Sequence, residues 1–247
     1  MGAKRMLNIL LIGDDIVQVT DIINYISTRR DNIRLYSIST TGESALKIIE
    51  KHKIDLIILD IELPDISGID IIKDISNKGL IGYKQSIIVF TCNNEYLAVL
   101  NKNPYVFDFI HKLNGLQKLL NSIDRYIIDK EILENTQLIE KQIYQQLSIL
   151  NFNLSYNGTT YLADCILELY KRQDNFCSNL NKCIYPILAQ KYNTTSNTIK
   201  CDITRAVKLM YYDTPEAVIK EYFSYTYCVK PKVKEVIFTI LNKIKTS

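Results

Sequence analysis

Between residue 7 and about residue 128 the sequence alternates five times between a short apolar run and an amphipathic stretch, and few folds accept that pattern. The apolar runs fall at residues 8–12, 33–38, 55–59, 86–90 and 106–110. Between them, segments such as 16–26 and 44–49 repeat an apolar side chain every three or four positions, the spacing of a one-sided helix. Strands without polar alternation are buried on both faces, so helices must cover both sides of a parallel sheet. Right-handed crossovers then make a doubly wound, flavodoxin-like domain the natural topology for residues 1–130. From about residue 137 strand alternation stops, and residues 131–247 read as a helical bundle, so the chain is α/β followed by all-α. No Pro/Gly/Ser tether separates the halves. Residues 126–136 are charged and helix-compatible, which predicts a helix running through the boundary.

Composition removes several chemistries. The longest apolar runs are far too short to cross a bilayer, and no long apolar leader follows the first methionine, so a cytoplasmic protein without membrane attachment is expected. The six cysteines (Cys92, Cys165, Cys177, Cys183, Cys201, Cys228) form no C-x-x-C pair and lie far from the only two histidines, His52 and His111. Neither a structural zinc site nor a paired-histidine metal site is available from such spacing. The cysteines read as reduced and mostly buried small apolar residues. None of the 8 glycines sits in a G-x-G-x-x-G or G-x-x-x-x-G-K arrangement, so nucleotide cradles are disfavoured. Charge is unevenly placed: residues 1–130 hold 16 basic and 16 acidic side chains, whereas residues 175–247 hold 11 and 5, net +6. A basic C-terminal part points to an anionic partner, with nucleic acid the first candidate.

In a parallel α/β sheet, ligands bind beyond the carboxyl ends of the strands. Strand one ends in Asp14-Asp15, strand three in Asp60, strand four in Thr91 and strand five in Lys112. Carboxylates converging in one crevice repel each other, and a hard divalent cation holds them ionised; magnesium suits them, with calcium or manganese as substitutes. A hydroxyl and an ammonium opposite would stabilise the oxygens of a transferring phosphoryl group. The chemistry that fits is formation of an acyl phosphate on one carboxylate.

The runs Ile9-Leu-Leu-Ile-Gly-Asp-Asp15, Asp55-Leu-Ile-Ile-Leu-Asp60-Ile-Glu-Leu-Pro64-Asp-Ile-Ser-Gly68, Ile87-Ile-Val-Phe-Thr91 and Asp108-Phe-Ile-His-Lys112 resemble the receiver domain of two-component response regulators. The resemblance implies that Asp60 is the phosphoacceptor and that Asp14, Asp15, Asp60 and the backbone carbonyl of Glu62 surround magnesium. It further implies that Thr91 and Lys112 grip the phosphoryl oxygens, with Thr91 and Phe109 forming the switch. The chain would then be no enzyme beyond slow self-dephosphorylation. Two positions depart from the family pattern. Gly13 precedes the acidic pair, where it is expected to loosen the strand end. Leu113 stands where a proline usually follows the lysine.

In the second half, Pro186 suits the first turn of a helix ending near Tyr192. Asn193-Thr194-Thr195-Ser196 supplies a turn and capping hydroxyls for the next helix. There Ile199, Ile203, Ala206, Val207 and Met210 share one face, while Asn197, Lys200, Cys201, Thr204 and Lys208 lie opposite, with Arg205 on the flank and Thr198 in the first turn. A buried face and a polar-basic face after a short turn describe a helix-turn-helix with a DNA-reading helix.

The landmarks Asn157-Gly-Thr-Thr-Tyr-Leu162, Tyr185-Pro186, Lys191-Tyr-Asn-Thr-Thr195 and Phe223-Ser-Tyr-Thr226 resemble the C-terminal effector domain of the stage 0 sporulation protein A family. That resemblance implies a sporulation-related transcription regulator fed by a histidine kinase or phosphotransferase, dimerising on phosphorylation and working with RNA polymerase. Thr198, Cys201 and Thr204 stand where that family carries arginines, so a more A·T-rich site is expected than the family's own. Two alternatives remain open: a phosphorelay sink, and a receiver-gated protein-interaction module without sequence-specific DNA binding.

Overall fold

A computed structural model of the chain describes residues 6–28, 33–80, 86–93, 95, 96, 100, 102–172, 179–226 and 228–246. The chain divides into two compact units, Met1–Lys130 and Glu131–Ser247.

The first unit carries β1 (Leu7–Ile12), α1 (Ile16–Thr28), β2 (Ile33–Ser39), α2 (Gly42–Lys51), β3 (Leu56–Leu59), α3 (Gly68–Lys78), β4 (Ile87–Thr91) and β5 (Val106–His111). The helix expected between β4 and β5 falls partly on residues 94, 97–99 and 101, outside the described residues. All pairings are parallel, in the order β2-β1-β3-β4-β5, the flavodoxin-like winding the alternation predicts. Period-two geometry divides even the shortest strand between two cores. Ile57 and Leu59 pack with Ile71, Ile72 and Ile75 of α3, whereas Leu56 and Ile58 pack with Ile22 and Ile26 of α1. The strand order reverses between β1 and β3, and the carboxyl ends of these strands open the crevice in which the acidic residues sit.

Gly13 does not loosen β1. Its N–H donates to Ser39 O at 3.0 Å, extending the ladder one residue past the strand. Leu113 lies in a 3₁₀ turn, Lys112–Asn114, and its N–H, which a proline would lack, donates to His111 Nδ1 at 3.1 Å.

A 34-residue helix, α4 (Leu116–Ile149), contains the boundary between the units, in accord with the helix-compatible residues there. The second unit continues with α5 (Asn157–Lys171), the single turn α6 (Leu180–Cys183), α7 (Tyr185–Lys191), α8 (Ser196–Asp213), α9 (Glu216–Phe223) and α10 (Val233–Thr246). Its core joins Ile143 and Leu147 of α4 with Leu162 and Ile166 of α5, Ile199 and Ile203 of α8, and Ile237 and Ile240 of α10. Gly158 lets α5 approach α8 closely: a Cβ there would stand 2.2 Å from Asp202 O.

The cysteine reading needs correction. Cys165 is buried, but Cys183 and Cys228 are half-buried and Cys92 and Cys201 are exposed. Cys92 follows the last residue of β4, and Cys201 faces away from the core of α8, so neither reaches a packed interior. Cys177 lies outside the described residues.

Candidate functional sites

The first site gathers at the carboxyl end of the sheet. Asp60 follows β3 directly and is only 5 % exposed. Its N–H donates to Ile12 O at 2.9 Å, continuing the sheet by one residue, which fixes where its carboxylate begins. The two carboxylate oxygens have different partners. Oδ2 takes the ammonium of Lys112 at 2.5 Å, and Oδ1 accepts the N–H of Glu62 at 3.2 Å. A charge-assisted pair this deep offsets much of the cost of burying a carboxylate.

Asp15, Asp60 and Lys112 line one small cavity of about 20 Å³, with Gly13, Ile58 and Phe90 among its walls. Lys112 also lies 5.9 Å from the centre of the Phe90 ring. Asp15 Oδ1 accepts the N–H of Val17 at 3.1 Å, tying that carboxylate to the start of α1. Asp14 is exposed and Glu62 carries an exposed side chain. Thr91 is fully buried at the end of β4, and its Oγ1 accepts the N–H of Asn93 at 3.3 Å. Phe109 is half-buried against the core that contains Ile57 and Leu59.

Asp15, Asp60 and Lys112 are therefore brought together. Among the described residues no three His, Cys, Asp or Glu side chains stand close enough together to hold a metal ion by themselves. The donor chemistry still suits a hard cation: Asp15 and Asp60 share a cavity and offer only oxygen ligands.

One residue beside this first site escaped the sequence reading. Asp65 accepts the N–H groups of Gly42 at 2.8 Å and Glu43 at 2.9 Å, capping α2 from a loop 23 positions away, while the local cap residue Thr41 makes no such bond. The amides of Glu43 and Gly42 hold its carboxyl near pKa 2, below the usual 3.8. Gly68 is required here too. A Cβ at that position would meet Asp60 O at 2.5 Å, so α3 begins directly against the backbone of Asp60.

The second site is the α7–α8 hairpin. Pro186 lies in the first turn of α7, and the chain leaves that helix through Asn193 in the left-handed region (φ 50°), with Thr194 N–H returning to Ala189 O at 2.9 Å. Thr195 then caps α8, its Oγ1 accepting Thr198 N–H at 3.1 Å. Ile199, Ile203, Ala206, Val207 and Met210 are buried, as the spacing predicts. Asn197, Thr198, Lys200, Cys201, Thr204, Arg205 and Lys208 are all exposed.

The hairpin is anchored on α5 by Asp164, a residue without a sequence signal. Its Oδ2 pairs with Lys191 Nζ at 2.5 Å and accepts the hydroxyl of Tyr192. Burial and this bond raise the phenol's pKa, so Tyr192 stays a donor.

Residues 9–124 match the response regulator receiver domain, and residues 143–244 match the domain described as "Sporulation initiation factor Spo0A C terminal". Two curated relatives share part of the chain. The protein-glutamate methylesterase/protein-glutamine glutaminase of Trichodesmium erythraeum is 32 % identical over 128 residues, 49 % of this chain and 35 % of that protein. The "Probable C4-dicarboxylate response regulator DctR" of Bacillus subtilis is 26 % identical over 150 residues, 60 % of this chain and 64 % of that one. The chain thus matches less than two thirds of either relative's length. Similar solved structures include the response regulatory domain of MrkE from Klebsiella pneumoniae, with TM-score 0.45, 20 % identity and coverage of 51 % of this chain and 98 % of that one. A two-component response regulator from Clostridium difficile gives 0.41, 25 %, 49 % and 96 %. Among the described residues no helix is long and apolar enough to cross a membrane.

Proposed function

We propose, for a chain that is a response regulator with a Spo0A-type C-terminal domain, that phosphorylation of Asp60 in residues 1–130 controls DNA binding by residues 131–247. One observation carries the reading: a carboxylate buried at the end of β3, held by an ammonium, in a chain whose other unit exposes a basic helix face. The phosphodonor is a histidine kinase or phosphotransferase. An Asp60 carboxylate oxygen attacks the donor's phosphorus, the P–N bond breaks as the acyl phosphate forms, and the departing imidazole keeps the electron pair. Asp14, Asp15, Asp60 and the Glu62 carbonyl would hold magnesium, which supplies charge to the phosphoryl oxygens when bound. Lys112 Nζ, already on Asp60, follows the added negative charge, and the Thr91 hydroxyl donates to a phosphoryl oxygen. Movement of Thr91 lets Phe109 turn inward, biasing a two-state equilibrium toward receiver dimers. A dimer sets two reading helices on adjacent half-sites and multiplies their affinities. RNA polymerase is the downstream partner, the cytoplasm the compartment and sporulation-related genes the regulon. Catalysis beyond slow self-dephosphorylation is not part of the role.

Two measurements test this. Acetyl phosphate with magnesium labels the parent and leaves Asp60→Asn unlabelled; equal labelling of both removes Asp60 from the chemistry. Gel shifts of the full chain at two salt concentrations give a steep loss of affinity with salt, and phosphorylation tightens binding. Salt-independent binding, or none, favours the protein-interaction reading, and labelled protein that binds no DNA favours the sink.

A further inference from the structure

We infer that α8 reads thymine methyl groups, so that the ligand class of this unit is an A·T-rich major groove recognised by apolar contact; this rests on the DNA-binding reading above. The inference comes from where the hydroxyls on the exposed face are spent. Thr204 Oγ1 donates to Lys200 O at 2.7 Å, one turn back along its own helix. Thr198 Oγ1 lies 2.9 Å from Thr195 Oγ1, inside the cap that starts the helix. A threonine Cβ carries one hydroxyl and one methyl. With the hydroxyl engaged by the helix, the methyl is the group left to meet a ligand. Cys201, between them, is an exposed free thiol, which behaves as a small hydrophobe and a weak donor.

Residues 198, 201 and 204 thus form a row of methyl, thiol and methyl at three-residue spacing along the exposed side of α8. The four other exposed candidates are polar: Asn197, Lys200, Arg205 and Lys208. In the major groove only thymine presents a methyl, and threonine methyls pack against it. An asparagine at the start of the helix complements this, because its amide matches the adenine edge of the same base pair. Lys200 and Lys208 suit phosphates, which give affinity without sequence information. Arg205 is the helix's only arginine, so guanine-reading forks cannot dominate the surface.

The test uses the full chain and a duplex selected by it from a random pool, resynthesised with uracil in place of thymine. Uracil lacks the 5-methyl and keeps every hydrogen-bonding edge. Each methyl lost from a packed contact lowers affinity about fourfold, so complete replacement weakens binding about tenfold or more and leaves affinity for unselected duplex unchanged. Thr204→Ser and Thr198→Ser, which keep the hydroxyl and lose the methyl, shrink the thymine-over-uracil ratio. Thr204→Val, which keeps a methyl and loses the hydroxyl, preserves it. Selection of thymine-poor sites, equal affinity for the two duplexes, or a ratio that follows the hydroxyl overturns the inference. Failure to bind any duplex at low salt overturns the DNA-binding reading itself, an outcome distinct from bound duplexes without methyl preference.

Discussion

Gly158→Ala should unseat the DNA-reading helix without touching its exposed face. The added Cβ would stand 2.2 Å from Asp202 O, 2.7 Å from the carbonyl carbon of the same residue and 2.8 Å from Tyr156 Cε1. The nearest two atoms are backbone of α8, so no side chain can swing aside, and the helices must part by about 1 Å to restore ordinary contact. Parting loosens Ile199, Ile203 and Ala206 from the core they share with Leu162 and Ile166. Overpacking against a rigid neighbour costs about 3 kcal/mol, at the upper end of its usual range. Better helix propensity returns about 1 kcal/mol at most. The net expectation is a loss of about 2–3 kcal/mol from the second unit. With a urea slope of about 2 kcal/mol/M, the midpoint falls by roughly 1–1.5 M. Far-ultraviolet circular dichroism of the full chain follows it, and DNA affinity falls alongside. Gly13→Ala is the control, since its Cβ meets only Asp60 Cβ at an ordinary 3.6 Å. A Gly158→Ala midpoint within about 0.25 M of the parent would refute the close approach of α5 and α8.

Lys112→Ala removes the ammonium from Asp60 and should slow labelling by acetyl phosphate about 10²-fold, the scale of losing one charge-stabilising donor. A rate within threefold of the parent contradicts the pairing. Thr195→Ala deletes the α8 cap and should cost the second unit about 1 kcal/mol in urea unfolding; no shift would show that the hydroxyl caps nothing. The Asp65 carboxyl is depressed to about 2 by two amide bonds, so its contribution is complete above the usual 3.8 and vanishes as pH falls through about 2. Unfolding midpoints of the parent should decline across that window more steeply than those of Asp65→Asn, and parallel curves would dismiss the cap.

The strands and the buried face of α8 were legible because each follows from a short-range period. A four-residue strand such as Leu56–Leu59 needs no partner to announce itself when every side chain is apolar. Asp60 and Lys112 were legible as strand-end residues, and the fold brings them into contact across 52 positions. Asp65 and Asp164 were not legible, because each serves a helix more than 20 positions away and neither follows a local pattern. The cysteines misled for a different reason. Residue-type preference favours burial, yet the wheel of α8 already set Cys201 opposite the core, and position outweighs preference. The carboxylate triad was read from strand ends alone, which fix where a backbone stops and leave the aim of an exposed side chain such as Asp14 open.

The loop from β3 to α3 is a span pinned at both ends. Glu62 N–H holds Asp60, Gly68 N–H holds Ile61 O at 2.9 Å, and Asp65 grips the first two amides of α2. A span fastened this way transmits a tug along its length instead of absorbing it. The amides of Gly42 and Glu43 exchange with deuterated solvent only when Asp65 lets go, so their exchange rates form a built-in strain gauge for the loop that carries Asp60. Mass spectrometry of one peptide covering the start of α2 could then register events at a carboxylate that the peptide does not contain.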